Sequence, residues 1–149
     1  MGMKSSAEAV WEHDLLKGSG LVRLKSGAAP ALPVSWAART EASNGKTSPE
    51  ELLAAAHAAC YSMAFSGGLA RNGTPPDRLT VKALATFDKV GEAWRVTTME
   101  LSVTGEVPKI TKEKFDELAW AAKEGCPISN AIKGNVEIRL TTQLATGAS

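Results

Sequence analysis

The sequence predicts an α+β domain with largely antiparallel sheets, and three observations lead to that prediction. First, strand and helix patterns follow the order βββ-α-ββ-αα-β, which lacks the regular alternation of a parallel α/β sheet. Second, the 149 residues fit a single domain spanning residues 1–149. Third, 44% of the residues are hydrophobic, which is enough for a sizeable core without a disulfide.

Short strands joined by turns are expected in the first part of the chain. Residues 7–13 and 20–25 have the pattern of two strands, connected by a turn rich in glycine and serine. A third short strand is expected over residues 34–38, after a segment that contains two prolines. Residues 40–47 are polar and contain glycine, which predicts a loop.

A long helix is predicted from Pro49 to about Ala70. Ser48 is a good N-cap, Pro49 suits the first helical position, and Glu51 at the third position completes a capping box. The alanine-rich sequence that follows favours helix. Because few charges occur after the first turn, we expect this helix to be buried on nearly all sides.

The rest of the chain predicts three more strands and two more helices. Residues 78–88 and 93–106 alternate in polarity and predict a pair of long strands joined by a turn. A helix is predicted over residues 112–123, with Thr111 as its N-cap. A short helix is expected over residues 126–133, and residues 135–144 predict the last strand.

The charge balance and the two cysteines limit the functions that fit this chain. With 17 basic and 16 acidic residues, nothing in the charge favours binding to nucleic acid or to an anionic membrane. The longest largely apolar run, residues 52–65, is too short to span a bilayer. No basic segment precedes a long apolar stretch, so we expect a cytoplasmic protein. In a reducing compartment a cysteine pair is more often catalytic or metal-binding than structural.

The two cysteines occupy different predicted settings. Cys60 lies in the middle of the long helix, where it is either a packed small hydrophobe or a thiol that needs a cation from elsewhere to ionise. Cys126 stands between Gly125 and Pro127 at a helix N-cap. Free N–H groups and the helix dipole at such a position favour a thiolate, although a small residue in a tight turn would look the same.

Arg39 is the candidate for the cation, because it precedes the loop that leads into the long helix. Glu51 already has a capping role, so Glu50 is the acid that is free to orient an arginine bidentately. Each residue also has an ordinary interpretation. Arg39 could be a solvated surface residue, and Glu50 could simply be a first-turn acid favoured by the helix dipole.

His57 lies one helical turn before Cys60, so that the two side chains share a face. A Cys60–His57 dyad for acyl transfer is therefore one hypothesis, although no oxyanion-hole loop adjoins it. No paired ligand spacing supports a zinc site, and there is no P-loop, dinucleotide fingerprint or zincin motif. We therefore expect neither a metal nor a bound cofactor.

Two segments resemble a known family. Residues 47–64 read TSPEELLAAAHAACYSMA and closely resemble the hallmark stretch of the osmotically inducible protein C and organic hydroperoxide resistance (OsmC/Ohr) family. Residues 122–129 read AKEGCPIS and resemble the second-cysteine motif of that family. The resemblance covers roughly residues 8–144, and the motif sequences are more similar to the osmotically inducible branch of the family.

The resemblance implies an OsmC/Ohr-like fold in an intertwined homodimer, with long central helices and the active sites at the subunit interface. It identifies Cys60 as the attacking cysteine, Cys126 as the resolving cysteine, and Arg39 and Glu50 as the charged residues of the site. It further implies a thiol-dependent peroxidase that reduces organic hydroperoxides to alcohols and protects against oxidative stress. A small dithiol or lipoyl-type reductant would regenerate the enzyme.

The mechanism expected from this assignment has three steps. Arg39, fixed by Glu50, lowers the pKa of Cys60. Cys60 then attacks the peroxide and becomes a sulfenic acid, which Cys126 converts to a disulfide. Three alternatives stay open: a redox-sensing or ligand-binding domain that uses the cysteine pair without turnover, the Cys60–His57 hydrolase, and a structural domain with inert thiols.

Overall fold

The computed structural model describes residues 1–145, and the chain divides into two units between Leu52 and Leu53. The first unit contains one sheet, in which strands pair antiparallel in the order β1-β2-β3. These strands are β1 (Ala7–Glu12), β2 (Ser19–Leu24) and β3 (Leu32–Val34). The first two predicted strands are confirmed.

The third predicted strand is only partly correct, because β3 ends at Val34 and the short helix α1 (Trp36–Thr40) follows. Ser35 is extended and caps this helix, since its hydroxyl accepts a hydrogen bond of 3.1 Å from the N–H of Ala38. A serine at this position satisfies a free N–H of the first turn. The capping bond explains why a segment that begins like a strand continues as a helix.

The long helix α2 (Pro49–Arg71) is confirmed, with a modified start. The hydroxyl of Ser48 accepts a hydrogen bond of 3.0 Å from the N–H of Glu51, as expected of an N-cap. The carboxylate of Glu51 instead accepts a hydrogen bond from the hydroxyl of Thr47. The capping box is therefore formed on one side only.

Within the second unit, α2 buries one stripe rather than its whole surface. Buried positions recur every three or four residues, at Ala54, His57, Tyr61, Phe65 and Leu69. The expectation of burial on nearly all sides is wrong, because only one face packs into the core of this unit. By length and hydropathy α2 could also cross a membrane, but a stripe packed against protein is typical of a core helix.

The second unit has a three-stranded sheet of order β4-β5-β6. The hairpin β4–β5 is antiparallel and turns at Gly91, whose φ of 63° suits glycine. The pairing of β5 with β6 is parallel and therefore needs a long crossover, which contains two helices. The elements are β4 (Arg78–Val90), β5 (Ala93–Glu106), α3 (Lys112–Gly125), α4 (Pro127–Ile132) and β6 (Glu137–Leu144). The α+β class is confirmed.

The core of this second unit is built around aromatic contacts between α2 and α3. The ring centroids of Tyr61 and Phe65 are 5.8 Å apart, and those of Phe65 and Phe115 are 5.1 Å apart. Full burial of one such side chain stabilises the fold by about 1.5–3 kcal/mol. A Cβ at Gly105 would lie 2.5 Å from the Phe115 ring, so glycine is required where α3 approaches β5.

Candidate active site

Arg39 and Glu50 form a bidentate ion pair in the first unit. Arg39 Nε and one guanidinium Nη atom each donate to a different carboxylate oxygen of Glu50, both at 2.9 Å. Glu50 lies in the first turn of α2 and is buried, whereas the side chain of Arg39 is 30% exposed. The contact that the sequence predicted for these two residues is therefore present. Paired donors of this kind fix the plane of a guanidinium as well as its position.

An apolar cavity of about 280 Å³ adjoins this ion pair within the first unit. The rings of Trp11 and Trp36 and the side chain of Leu15 line it, together with Arg39. The guanidinium carbon of Arg39 lies 5.8 Å from the centroid of the Trp36 ring, within the range of a cation–π contact. The cavity thus combines apolar walls with one positive group, as binding sites for small amphiphilic molecules do.

Cys60 and Cys126 lie together in the second unit. Cys60 is on α2 and partly exposed, whereas Cys126 precedes α4 and is fully buried. Both are free thiols, and their side chains hydrogen-bond to each other. A groove of about 540 Å³ in the same unit is lined by Ala64, one turn beyond Cys60, and by Pro127, which follows Cys126. The structure therefore brings together the two cysteines predicted from the sequence.

Cys126 is the more acidic thiol of the pair. Burial opposes its ionisation, but hydrogen bonds outweigh burial and lower its pKa. These bonds come from the N–H and hydroxyl of Ser129, from the thiol of Cys60 and from the N–H of Ile128. Because Cys126 is the N-cap of α4, N–H groups of the first turn lie close enough to act on its sulfur, although none reaches the geometry of a side-chain capping bond. The expectation that a helix start favours a thiolate here is confirmed.

The pKa of Cys60 shifts in the opposite direction to that of Cys126. Burial raises the pKa of Cys60, and the neighbouring Cys126 sulfur raises it further, while the N–H of Ile128 lowers it in part. This net direction is opposite to the lowered pKa that was predicted for Cys60 from the sequence. Within the second unit Cys126 ionises in preference to Cys60, because more hydrogen-bond donors act on the Cys126 sulfur although it is the more deeply buried of the two.

His57 is fully buried on α2 and pairs with Ser129. Its Nε2 lies 2.7 Å from Ser129 Oγ, and its Nδ1 has no hydrogen-bond partner among residues 1–145. Neither ring nitrogen is therefore bonded to Cys60. This arrangement contradicts the hypothesis of a Cys60–His57 hydrolase, which needs the base within hydrogen-bonding reach of the nucleophile.

Ser129 and the N–H of Ile128 belong to the thiol site but were not predicted from the sequence. Ser129 lies three positions after the N-cap Cys126, which is where a capping residue meets the backbone of its helix. That spacing was a usable signal. No group of three or more potential metal ligands occurs within the part of the chain that the structure describes.

Comparison with known proteins places this chain in one family. The model of the OsmC-like protein family matches residues 42–141. Peroxiredoxin OsmC of Escherichia coli K12 is 38% identical over 144 residues, covering 97% of this chain and 99% of that protein. Organic hydroperoxide resistance protein OhrB of Bacillus subtilis is 31% identical over 110 residues, covering 69% of this chain and 74% of that protein.

Solved structures that are similar to this chain include members of the same family. The crystal structure of an organic hydroperoxide resistance protein OsmC from Legionella pneumophila superposes with a TM-score of 0.71 at 21% identity. The alignment covers 95% of this chain and 97% of that chain, which confirms the OsmC/Ohr-like fold. The family match and the relative of nearly equal length agree with the two cysteine motifs. The chain therefore belongs to the OsmC-like protein family.

Proposed function

We propose that this OsmC-family peroxidase reduces organic hydroperoxides to alcohols through a sulfenic acid on Cys60 and a Cys60–Cys126 disulfide. The observation that supports the proposal most directly is the hydrogen-bonded thiol pair, in which one sulfur is accessible and the other is buried. The E. coli relative is named a peroxiredoxin, and the B. subtilis relative is named for organic hydroperoxide resistance. Two hydrogen-bonded thiols can close to a disulfide without unfolding of the protein.

Accessibility assigns the roles of the two cysteines. Cys60 is partly exposed and can meet a peroxide, whereas Cys126 has no exposed surface. A buried thiol can still reach a neighbouring sulfur, which is the task of a resolving cysteine. Cys60 is therefore the attacking residue in the proposal, although Cys126 is the more acidic of the two.

Ionisation of Cys60 is the step that the proposal assigns to Arg39. A proton can pass from Cys60 to Cys126 along their hydrogen bond, which moves the negative charge to the attacking sulfur. A guanidinium favours that charge by opposite sign, and Glu50 holds the guanidinium by its two hydrogen bonds. In this proposal Arg39 lowers the pKa of Cys60 against the effect of burial.

The reaction balances without any cofactor. The Cys60 thiolate attacks the distal oxygen of the hydroperoxide, the O–O bond breaks, and the alkoxide takes a proton and leaves as the alcohol. The Cys126 thiolate then attacks the Cys60 sulfur, the S–O bond breaks, and hydroxide leaves as water after taking a proton. The two thiols supply two electrons, and an external dithiol or lipoyl-type reductant restores them by exchange.

The surroundings of the site agree with a substrate that has a carbon tail. Both the cavity beside Arg39 and the groove beside Ala64 are lined mainly by apolar side chains. Hydrogen peroxide has no tail to bury there, so the proposal favours organic hydroperoxides. Repeated re-reduction of a disulfide also requires a reducing compartment, and we assign the protein to the cytoplasm on that basis.

A homodimer is also part of the proposal. The face of α2 opposite the buried stripe is apolar, and Met63 on that face is 73% exposed in the single chain. Exposed apolar surface of this kind is typical of interaction sites. Sedimentation equilibrium would test the assignment, since a purely monomeric protein at micromolar concentration would contradict it.

The decisive experiment combines mass spectrometry with one equivalent of cumene hydroperoxide. We expect a Cys60–Cys126 disulfide in the wild-type protein and one equivalent of alcohol released. The Cys126→Ser variant should also release one equivalent, but retain a sulfenic acid that can be trapped on Cys60. A pair that oxidises but fails to turn over with any dithiol would instead indicate a redox sensor.

A further inference from the structure

His57 is a buried polar group that the peroxide mechanism above does not use. It has no exposed surface, and buried polar groups normally form hydrogen bonds. Its Nε2 lies 2.7 Å from Ser129 Oγ, while its Nδ1 has no partner within residues 1–145. Burying an imidazole with one nitrogen unpaired costs free energy, so a role for His57 at this position is expected.

Ser129 connects His57 to the thiol pair. It is the third residue of α4, whose N-cap is Cys126, and it is 3% exposed. Both its N–H and its hydroxyl act on the Cys126 sulfur. The hydroxyl is therefore hydrogen-bonded to the imidazole and is also close enough to the sulfur to favour its ionisation.

The position of the imidazole proton follows from the unsatisfied nitrogen. Burial lowers the pKa of His57, so the ring is neutral near pH 7 and has one N–H. A proton on Nδ1 would be a buried donor without an acceptor, whereas a proton on Nε2 leaves only an unpaired acceptor at Nδ1. Unpaired acceptors are better tolerated than unpaired donors. The ring therefore donates from Nε2 to Ser129, whose own hydrogen is then free to point at Cys126.

We propose that His57 is a positioning residue for Cys126: its Nε2–H orients the Ser129 hydroxyl so that this hydroxyl donates to the Cys126 sulfur in its ionised form. The imidazole gains and loses no proton in this role. Its consequence for disulfide closure rests on the proposed function, because only a resolving thiolate benefits from being held ready. His57 then serves the second cysteine and not the first.

Two other titratable groups lie near Cys126, and their contributions to its titration must be separated from that of His57. Cys60 hydrogen-bonds to the sulfur from α2. Tyr61, also on α2, has its pKa raised by burial and by the charge of Cys126, so it stays neutral well above the range of a thiol titration. Replacing Cys60 by serine therefore leaves Cys126 as the group that a titration reports.

The test is a titration of the Cys126 ¹³Cβ resonance by NMR in the Cys60→Ser background. We expect His57→Leu and Ser129→Ala each to raise the pKa of Cys126 by about one unit, as the loss of a hydrogen bond to a charged group would. His57→Gln keeps an N–H donor near the same place and should change the pKa by much less. The double variant His57→Leu, Ser129→Ala should match Ser129→Ala alone, and an additive shift would overturn the proposal.

A second measurement reads the proton directly. A long-range ¹H–¹⁵N spectrum of the wild-type protein should show His57 as the Nε2–H form, assigned by its loss in His57→Gln. The Nδ1–H form would contradict the proposal even if His57→Leu proved too unstable to titrate. Thermal melting of each variant separates a loss of the fold from a loss of hydrogen-bond donation.

The kinetic consequence is confined to one step. In the Cys126→Ser background, where the Cys126 sulfur takes no part, His57→Leu should leave the rate of sulfenic acid formation on Cys60 unchanged. With Cys126 present, His57→Leu should slow disulfide closure at neutral pH by about tenfold for each unit by which the Cys126 pKa rises. Equal slowing of both steps would overturn the positioning role. If the wild-type protein consumed no peroxide, the proposed function would fail, while the Cys126 titration would still decide the role of His57.

Discussion

Cys60 and Cys126 sit in opposite helical settings, and their ionisation differs accordingly. Cys60 lies in the middle of α2, where the backbone N–H groups are committed to the helix itself, and burial raises its pKa. Cys126 lies at the start of α4, where N–H groups of the first turn lack carbonyl partners and lower its pKa despite burial. The difference shows that a helix start can stabilise a thiolate without any charged residue, whereas a thiol in mid-helix depends on outside help.

The largest expected effect comes from replacing Cys60, the accessible cysteine of the pair. Its replacement by serine removes the accessible nucleophile, so we expect peroxide consumption to fall by roughly 1,000-fold or more. Residual cumene hydroperoxide, measured colorimetrically in the presence of excess dithiol, reports the loss. Ser62→Ala alters a neighbouring position of α2 and serves as the control. Undiminished turnover by Cys60→Ser would remove the peroxidase mechanism proposed for this pair.

The proposed effect of the Arg39 guanidinium on the pKa of Cys60 can be tested separately. We expect Arg39→Ala to raise the pKa of Cys60 by about one unit or more, since an opposite charge shifts a pKa by about 1–3 units. The pH dependence of Cys60 alkylation in the Cys126→Ser background measures this shift. Arg39→Lys keeps the positive charge but loses the two-pronged contact with Glu50. The pKa of Cys60 in Arg39→Lys should therefore lie between its values in the wild-type protein and in Arg39→Ala. An alkylation profile that is unchanged in Arg39→Ala would exclude the guanidinium from the mechanism.

The smallest effect concerns Cys126 as a helix cap. Ser48 and Thr111 cap their helices with side-chain hydrogen bonds of 3.0 Å and 3.1 Å, whereas the N–H groups that act on the Cys126 sulfur do not reach the geometry of a capping bond. Serine at position 126 is the better cap, so we expect the reduced Cys126→Ser variant to be about 0.5–1 kcal/mol more stable than Cys126→Ala. Urea unfolding of both variants measures the difference. An equal or lower stability for serine would show that the sulfur is not at a true capping position.

Local patterns predicted most of the fold, whereas the pairing of Cys60 with Cys126 was predicted from the resemblance of two segments to a known family. Caps and period-two alternation gave α2, α3 and the β4–β5 hairpin with nearly correct limits. They could not reveal the parallel pairing of β5 with β6, because strand direction depends on the path of the crossover. They also could not reveal that one stripe of α2 is buried, since an alanine-rich helix looks alike on every side.

The same limit applies to the site. The contact between Arg39 and Glu50 spans 11 positions and could be expected from the roles of the flanking residues. The bond between His57 and Ser129 spans 72 positions and joins two elements that meet only in the folded chain. A sequence shows which groups can form hydrogen bonds, but the choice between Cys60 and Ser129 as the partner of His57 is made by packing.

The crossover between β5 and β6 also sets an order of events during synthesis. Cys126 lies within that crossover, and β6 is the last strand within residues 1–145. Cys60 is therefore made long before its partner can be fixed beside it. In the proposed mechanism, an oxidant that reaches the growing chain in that interval meets a Cys60 thiol whose sulfenic acid would have no resolving partner and would be open to further oxidation to irreversible acids. On that mechanism, we expect the chain to be most sensitive to peroxide before β6 has paired with β5.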